Sequence, residues 1–300
     1  MTSLASWENA LYAGGNFVRS GDAWLPGLAR WNGTNWGALP GIVAAQVRQL
    51  LVRGDDLFVA GNLQLTGDTN YYGVARWNGN AWETYDSRIG KEDVIGCMAV
   101  RGEMVFVSGA FSVIADTVIP YNAYWNGATW QLLPGLTNQT FRALAVYVGG
   151  LYGSGSFTNI GGTAASNLAR WDGENWWPVG DGFDQPPDNL LSARSGFLAT
   201  GNFKQTGNST VNGVARWNGS SWQSVGAGTW QGNQGPTHVC AAETDRLFAV
   251  GYFFSVQGQR AGHVAEWTGT QWQPVGVTNS LALMDGFLSI FSMAADEHAL

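Results

Sequence analysis

The chain has 300 residues, among them 42 glycines, 16 tryptophans and two cysteines, and its 15 Lys and Arg against 22 Asp and Glu leave a formal charge of −7. So few cations exclude a nucleic-acid groove, which needs clustered Lys and Arg to neutralise phosphates. Two cysteines exclude a disulfide framework, and the glycine content suits short turns better than helices.

In chain order, residues 1–17 read as a complete hairpin whose second strand is Leu11-Tyr12-Ala13-Gly14-Gly15. A second hairpin follows, in which an apolar run ends at Trp31, Asn32-Gly33 makes a short turn, and a new run begins at Trp36. The chain then repeats both signals. The Trp-Asn-Gly-x-x-Trp unit recurs at Trp77, Trp125, Trp171, Trp217 and Trp267, at intervals of 46, 48, 46, 46 and 50 residues, with Asp172 and Thr268 replacing Asn in two copies. Ahead of each lies a run closed by glycine: Leu57 to Gly61, Val105 to Gly109, Leu151 to Gly155, Phe197 to Gly201 and Leu247 to Gly251. Before that comes one more apolar run, such as Ala143 to Tyr147, entered through a tight turn like Gly149-Gly150. Four antiparallel strands at this period predict a propeller blade.

Six copies predict an all-β, six-bladed β-propeller of four-stranded antiparallel blades, as a single domain over residues 1–300. Residues 279–293 again read as the first two strands of a blade. With one inner hairpin too many, the expectation is a propeller closed by terminal hairpins, the C-terminal one pairing beside or replacing N-terminal strands. Seven blades with one incomplete is the alternative.

With a small residue and glycine ending the second strand and an aromatic pair flanking the third-to-fourth turn, the units resemble kelch repeats. Only Gly14-Gly15 keeps the kelch double glycine. The Trp-Asn-Gly-x-x-Trp spacing is closer to the repeats of fungal cortical-marker proteins and uncharacterised bacterial surface propellers. This likeness implies the fold and an extracellular or surface location; it implies no particular activity, because propellers host binding proteins and enzymes alike.

No apolar run is long enough to span a bilayer and no signal sequence opens the chain, so a soluble monomer without a membrane span is expected. Arg30, Arg76, Arg170 and Arg216 precede the repeat tryptophan in four units, which points to a structural ion pair or hydrogen bond. Cys97 and Cys240 read as buried free thiols. The sequons at Asn32, Asn138, Asn208 and Asn218 carry little weight, since two arise from the repeat turn itself. Nucleophile-elbow, zinc-protease, phosphate-loop and Asp-box motifs do not occur. Ser154 sits where every unit has a small residue and reads as packing. No cofactor and no metal are expected; the loop Asp181-Gly182-Phe183-Asp184 lacks the ligand spacing of a calcium loop.

Antiparallel order sorts the connections. Turns between strands one and two and between three and four share one end of each blade. Connections between two and three and from blade to blade share the other, and are expected to be long, irregular and different in every repeat. Function is expected there. Trp7, Trp24, Trp177 and Trp230 are the tryptophans outside the repeat pairs, and Trp24 and Trp230 fall in these loops. With Asp22, Tyr72 and Arg260 they form the expected ligand-binding set, and His238 and His263 form the expected general acid–base pair of an enzyme.

Three classes follow: a binding protein with one asymmetric site at the channel mouth for a small molecule, glycan or protein; a cofactor-free lyase, cyclase or isomerase using the same mouth; and a multivalent lectin. Because the candidate residues lack counterparts in every unit, the first is preferred, with about one ligand per chain.

Overall fold

The computed structural model describes residues 3–275 apart from 137, 194–195, 227–229, 242–245 and 262, with backbone alone at 231–235, 237–241, 252 and 254. Among the described residues there is no helix, and six four-stranded antiparallel sheets follow one another along the chain. The fold class is the all-β, six-bladed β-propeller that the repeats predict. Blade 1 pairs Ser3–Trp7, Ala10–Gly14, Leu28–Trp31 and Trp36–Ala38 in sequence order, and the other five repeat that order. All four strands of blade 1 come from residues 3–38. The expected closing hairpin, residues 279–293, lies outside the described residues. The chain divides into two compact units, Met1–Leu144 and Ala145–Leu300.

The glycine ending the second strand has a steric cause. In blade 3 the first strand, Val94–Arg101, is bulged between Ile95 and Cys97, opposite Gly109. A Cβ on Gly109 would fall on the carbonyl oxygen of Val94 and 2.7 Å from the Cα of Ile95. Only glycine lets the bulged backbone approach so closely.

The paired tryptophans face each other across the outer hairpin, as Trp31 and Trp36 or Trp217 and Trp222 do. Four residues, not two, join them. In Asn32-Gly33-Thr34-Asn35 the Asn32 Oδ1 accepts from the backbone N–H of Thr34 (2.9 Å) and Asn35 (2.8 Å). Asn78, Asn126 and Asn218 do the same, Asp172 does so as a carboxylate, and Thr268 substitutes its hydroxyl. The side-chain acceptor closes the turn, which explains why Asn, Asp and Thr alternate there.

In four blades the second tryptophan ties its blade to the one before. Its Nε1 donates to a carbonyl where the preceding blade ends: Trp82 to Pro40 (2.9 Å), Trp130 to Tyr85 (2.9 Å), Trp222 to Val179 (3.2 Å) and Trp272 to Val225 (2.7 Å). One ring thus supplies buried apolar area and satisfies a carbonyl that the strand ladder leaves unpaired. The residue before the first tryptophan pairs as its blade allows. Arg76 reaches Asp56 (3.4 Å) and Glu83 (2.8 Å), whereas blade 6 reverses the charges, with Glu266 bonded to Arg246 at 2.5 Å.

Candidate functional site

The connection between strands two and three is where the structure departs most from the expectation of irregular loops. From the strand-two glycine to the corresponding residue at the start of strand three is 12 positions in all six blades: Gly15 to Gly27, Gly61 to Gly73, Gly109 to Tyr121, Gly155 to Asn167, Gly201 to Gly213 and Gly251 to His263, with the strands of blade 2 running on past both of its glycines. The segment folds back as a ribbon. In blade 1, Arg19–Ser20 pairs with Ala23–Trp24; blade 3 pairs Val113–Ile114 with Thr117–Val118, blade 4 Asn159–Ile160 with Thr163–Ala164, and blade 5 Gln205–Thr206 with Ser209–Thr210. In blade 6 Gln259–Arg260 folds onto the end of the second strand. In blades 3 and 4 two residues with positive φ make the tip, Ala115 (50°) and Asp116 (61°) and Gly161 (58°) and Gly162 (86°), whereas blades 1 and 5 use one, Gly21 (58°) and Gly207 (52°). Each is a two-residue hairpin turn, whose twist matches the ribbon.

The base is tied alike. The strand-two glycine donates its N–H to the carbonyl of the last residue of the segment: Gly15 to Gly27, Gly109 to Tyr121, Gly155 to Asn167, Gly201 to Gly213 and Gly251 to His263. The 12-residue length holds in all six blades and the glycine anchor in five, the tip has two positive-φ residues in blades 3, 4 and 6 and one, Gly21 or Gly207, in blades 1 and 5, and the exposed side chains vary most. The constant 12-residue spacing is the sequence signal that locates these ribbons.

Each expected site residue has a definite place on this frame. Trp24 and Arg260 occupy the same ribbon position in blades 1 and 6, both exposed, with Trp24 58% exposed opposite Arg19. Asp22 is exposed beside Gly21 at the tip of the Trp24 ribbon. Tyr72 is buried and its hydroxyl donates to Asp68 Oδ2 at 2.5 Å. That bond raises the tyrosine pKa and lowers the aspartate's, and Asp68 is further held down by the N–H of Asn70. Trp230 packs on Phe253 and Trp272 at 4.7 and 5.3 Å and donates Nε1 to the Asn212 carbonyl, so its ring belongs to the core of blade 6.

His263 takes the left-handed position (φ 67°) that blades 1 and 5 fill with Gly27 and Gly213 and blade 4 with Asn167. Its Nδ1 lies 3.1 Å from the Gly251 carbonyl. A carbonyl only accepts, so Nδ1 carries the proton and the lone pair of the neutral ring is on Nε2. His238 pairs through its backbone with Val250, and its side chain lies outside the described set. The sequence brings Asp22, Trp24 and Tyr72 into the first unit and the other four into the second.

Several loop residues are structural. Tyr85 is buried between Phe58 of blade 2 and Trp125 of blade 3, and its hydroxyl pKa is pushed up to about 12 by burial. Asp184 accepts from the N–H of Lys204 (2.9 Å) and Gln205 (3.0 Å), pinning the blade 5 ribbon to the loop that enters it. Arg88 bridges Asp86 (2.7 Å) and Asp116 (2.8 Å), joining the loop after blade 2 to the ribbon tip of blade 3. Ser154 is buried and donates to the Pro187 carbonyl at 2.8 Å, in keeping with a packing role.

No family model matches the chain, and no curated protein matches it. Solved structures do. The extracellular domain of a protein described as a hybrid two component system, from B. thetaiotaomicron, aligns over 97% of this chain at 9% identity with a TM-score of 0.50, and this chain spans 35% of that one. YCF48 bound to D1 peptide aligns over 81% of this chain and 71% of its own at 13% identity, TM-score 0.47. A gluconolactonase from Xanthomonas campestris aligns over 65% and 66% at 11% identity, TM-score 0.41. The first shares the propeller fold with this chain. Among the described residues no helix is long and apolar enough to cross a membrane.

Proposed function

We propose that the protein is a binding propeller whose ligand is held on the ribbon-bearing end, with one asymmetric site centred on Trp24 of blade 1. The observation that carries this reading is the constant length of the segment in every blade, anchored alike in five, set against the variety of what it displays. At the position of Trp24 the other blades carry Asn70, Val118, Ala164, Thr210 and Arg260. A lectin with one site per blade would keep its ligand groups in most copies. An indole left 58% in water on a two-stranded ribbon, with Arg19 across the ribbon and Asp22 at the tip, offers stacking surface beside groups of both signs. The small-molecule, glycan or protein identity of the ligand is open to an array of peptides and glycans. Titration calorimetry of a ligand found there should give about one site per chain on this end and lose it with Trp24→Ala. Several equivalent sites, or binding indifferent to Trp24, would reverse the reading.

A second reading, a cofactor-free enzyme, draws on His263. Its proton is placed on Nδ1 by the Gly251 carbonyl, leaving Nε2 as a base. His263→Asn introduces the residue that blade 4 uses at this left-handed position, so the fold should survive while turnover of a found substrate is abolished. Retained turnover in both His263→Asn and His238→Ala would remove this reading.

A further inference from the structure

Of the four tryptophans outside the repeat pairs, Trp7 and Trp230 pack in blade cores, and Trp24 stands on a ribbon. Trp177 is different. It is the second residue of the outer strand of blade 4, Trp176–Pro178, and it is 50% exposed. The other blades place Gly37, Glu83, Gln131, Gln223 and Gln273 at this position. Its Nε1 donates to Asp172 Oδ2 at 2.7 Å. Asp172 is itself exceptional, as the one repeat turn that carries a carboxylate where the others carry Asn or Thr. The two departures from the repeat fall in the same blade and are bonded to each other.

The bond fixes the indole. Asp172 Oδ1 is held by the N–H groups of Glu174 and Asn175, both at 2.9 Å, so Oδ2 is a rigid acceptor and the ring it receives has lost its rotational freedom before any ligand arrives. Donation of Nε1–H to an anion also enriches the ring's π face. Beside it on the same sheet face lies Arg170, the cross-strand partner of Trp177, which in turn is opposite Tyr152. Glu174 and Asn175 are exposed on the adjoining turn.

We propose that Trp177 is the stacking platform of a subsite for a neutral pyranose. A sugar presents a flat face of C–H groups to a π surface, and hydroxyls that both donate and accept. Arg170 and the Asn175 amide supply donors; Glu174 and the Asn175 carbonyl supply acceptors. A cationic side chain would meet Arg170 and an anionic sugar would meet Asp172 and Glu174, so mixed charge selects the uncharged ligand. Asp172 is a positioning residue: it orients the platform.

The repeat supplies fold-neutral variants for the test. Trp177→Gln installs the residue of blades 3, 5 and 6, and Asp172→Asn that of four other turns, keeping the turn acceptor while its amide N–H₂ cannot accept from the indole. The protein is labelled with 5-fluorotryptophan, and the Trp177 resonance is the ¹⁹F signal missing in Trp177→Gln. Methyl glycosides of glucose, galactose and mannose are then titrated, with arginine amide and glucuronate as charged arms. The expected result is a saturable shift of that resonance with at least one neutral glycoside, at a roughly millimolar dissociation constant. Asp172→Asn should weaken it at least about fivefold in a protein that still unfolds cooperatively, well below the temperature of its own midpoint. Trp24→Ala, in blade 1, should leave the titration as it is, which separates this subsite from the one centred on Trp24. An immobile resonance with all three glycosides, a stronger response to either charged probe, or full affinity in Asp172→Asn would overturn the proposal.

Discussion

At the scale of residues, small substitutions inside a repeated frame tell structural from functional roles. Asp172 is the clearest case. The N–H groups of Asn175 and Glu174, with the Trp177 indole, hold its carboxyl at about 2 against an ordinary value of 3.8. A depressed carboxyl stabilises the fold where it is ionised in both states, so its contribution is full above about pH 4 and is lost as pH falls through 2. The thermal midpoint of wild type should therefore exceed that of Asp172→Asn near neutrality and the gap should close between pH 4 and 2; a gap independent of pH would contradict this. Trp230 and Tyr72 teach the converse. Nothing in the sequence distinguishes a loop aromatic that reaches solvent from one that folds back, because that depends on which carbonyl or carboxylate, Asn212 or Asp68, the fold brings within reach.

Between elements, the contacts that bind blade to blade are local and repeated, and they set the largest expected losses. Trp272→Phe removes the donor to the Val225 carbonyl and shrinks a buried ring, so unfolding free energy should fall by about 3 kcal/mol in denaturant titration. Gly226 has φ 78° and a Cβ there would lie 2.5 Å from the Trp267 ring, whereas Gly219, φ 101°, has open space around it. Gly226→Ala should therefore cost at least about 2 kcal/mol more than Gly219→Ala. Equal costs would mean that the turn gives way. The reversed ion pair of blade 6 predicts that Arg76→Glu with Asp56→Arg recovers about 0.5 kcal/mol relative to the sum of the single changes, a figure to be measured by a double-mutant cycle. The ribbons were legible in principle, since the 12-residue spacing from Gly15 to Gly27 repeats without a gap. Their varied composition hides it. Turn geometry tolerates Ala-Asp in blade 3 and Gly-Gly in blade 4, so identity drifts while length is kept.

For the molecule as a whole, the tryptophan period carried the fold because each pair flanks a turn and packs at a fixed place, and in four blades its second ring also caps a neighbour's carbonyl. Changing either ring disturbs these together, so the pattern stays visible in the sequence. The residues of the two proposed sites have no such redundancy: Trp24 and Trp177 are single residues whose exposure only the folded chain reveals. A segment of constant length on a repeated frame implies that the ribbons are separable from the frame that carries them. That separability is tested most directly by replacing Val18 to Trp24 with the residues of Lys204 to Thr210, then comparing thermal midpoint and peptide and glycan array profile with wild type. A midpoint within about 4 °C and a changed profile are predicted. A collapsed midpoint, or an intact midpoint with the same profile, would contradict it.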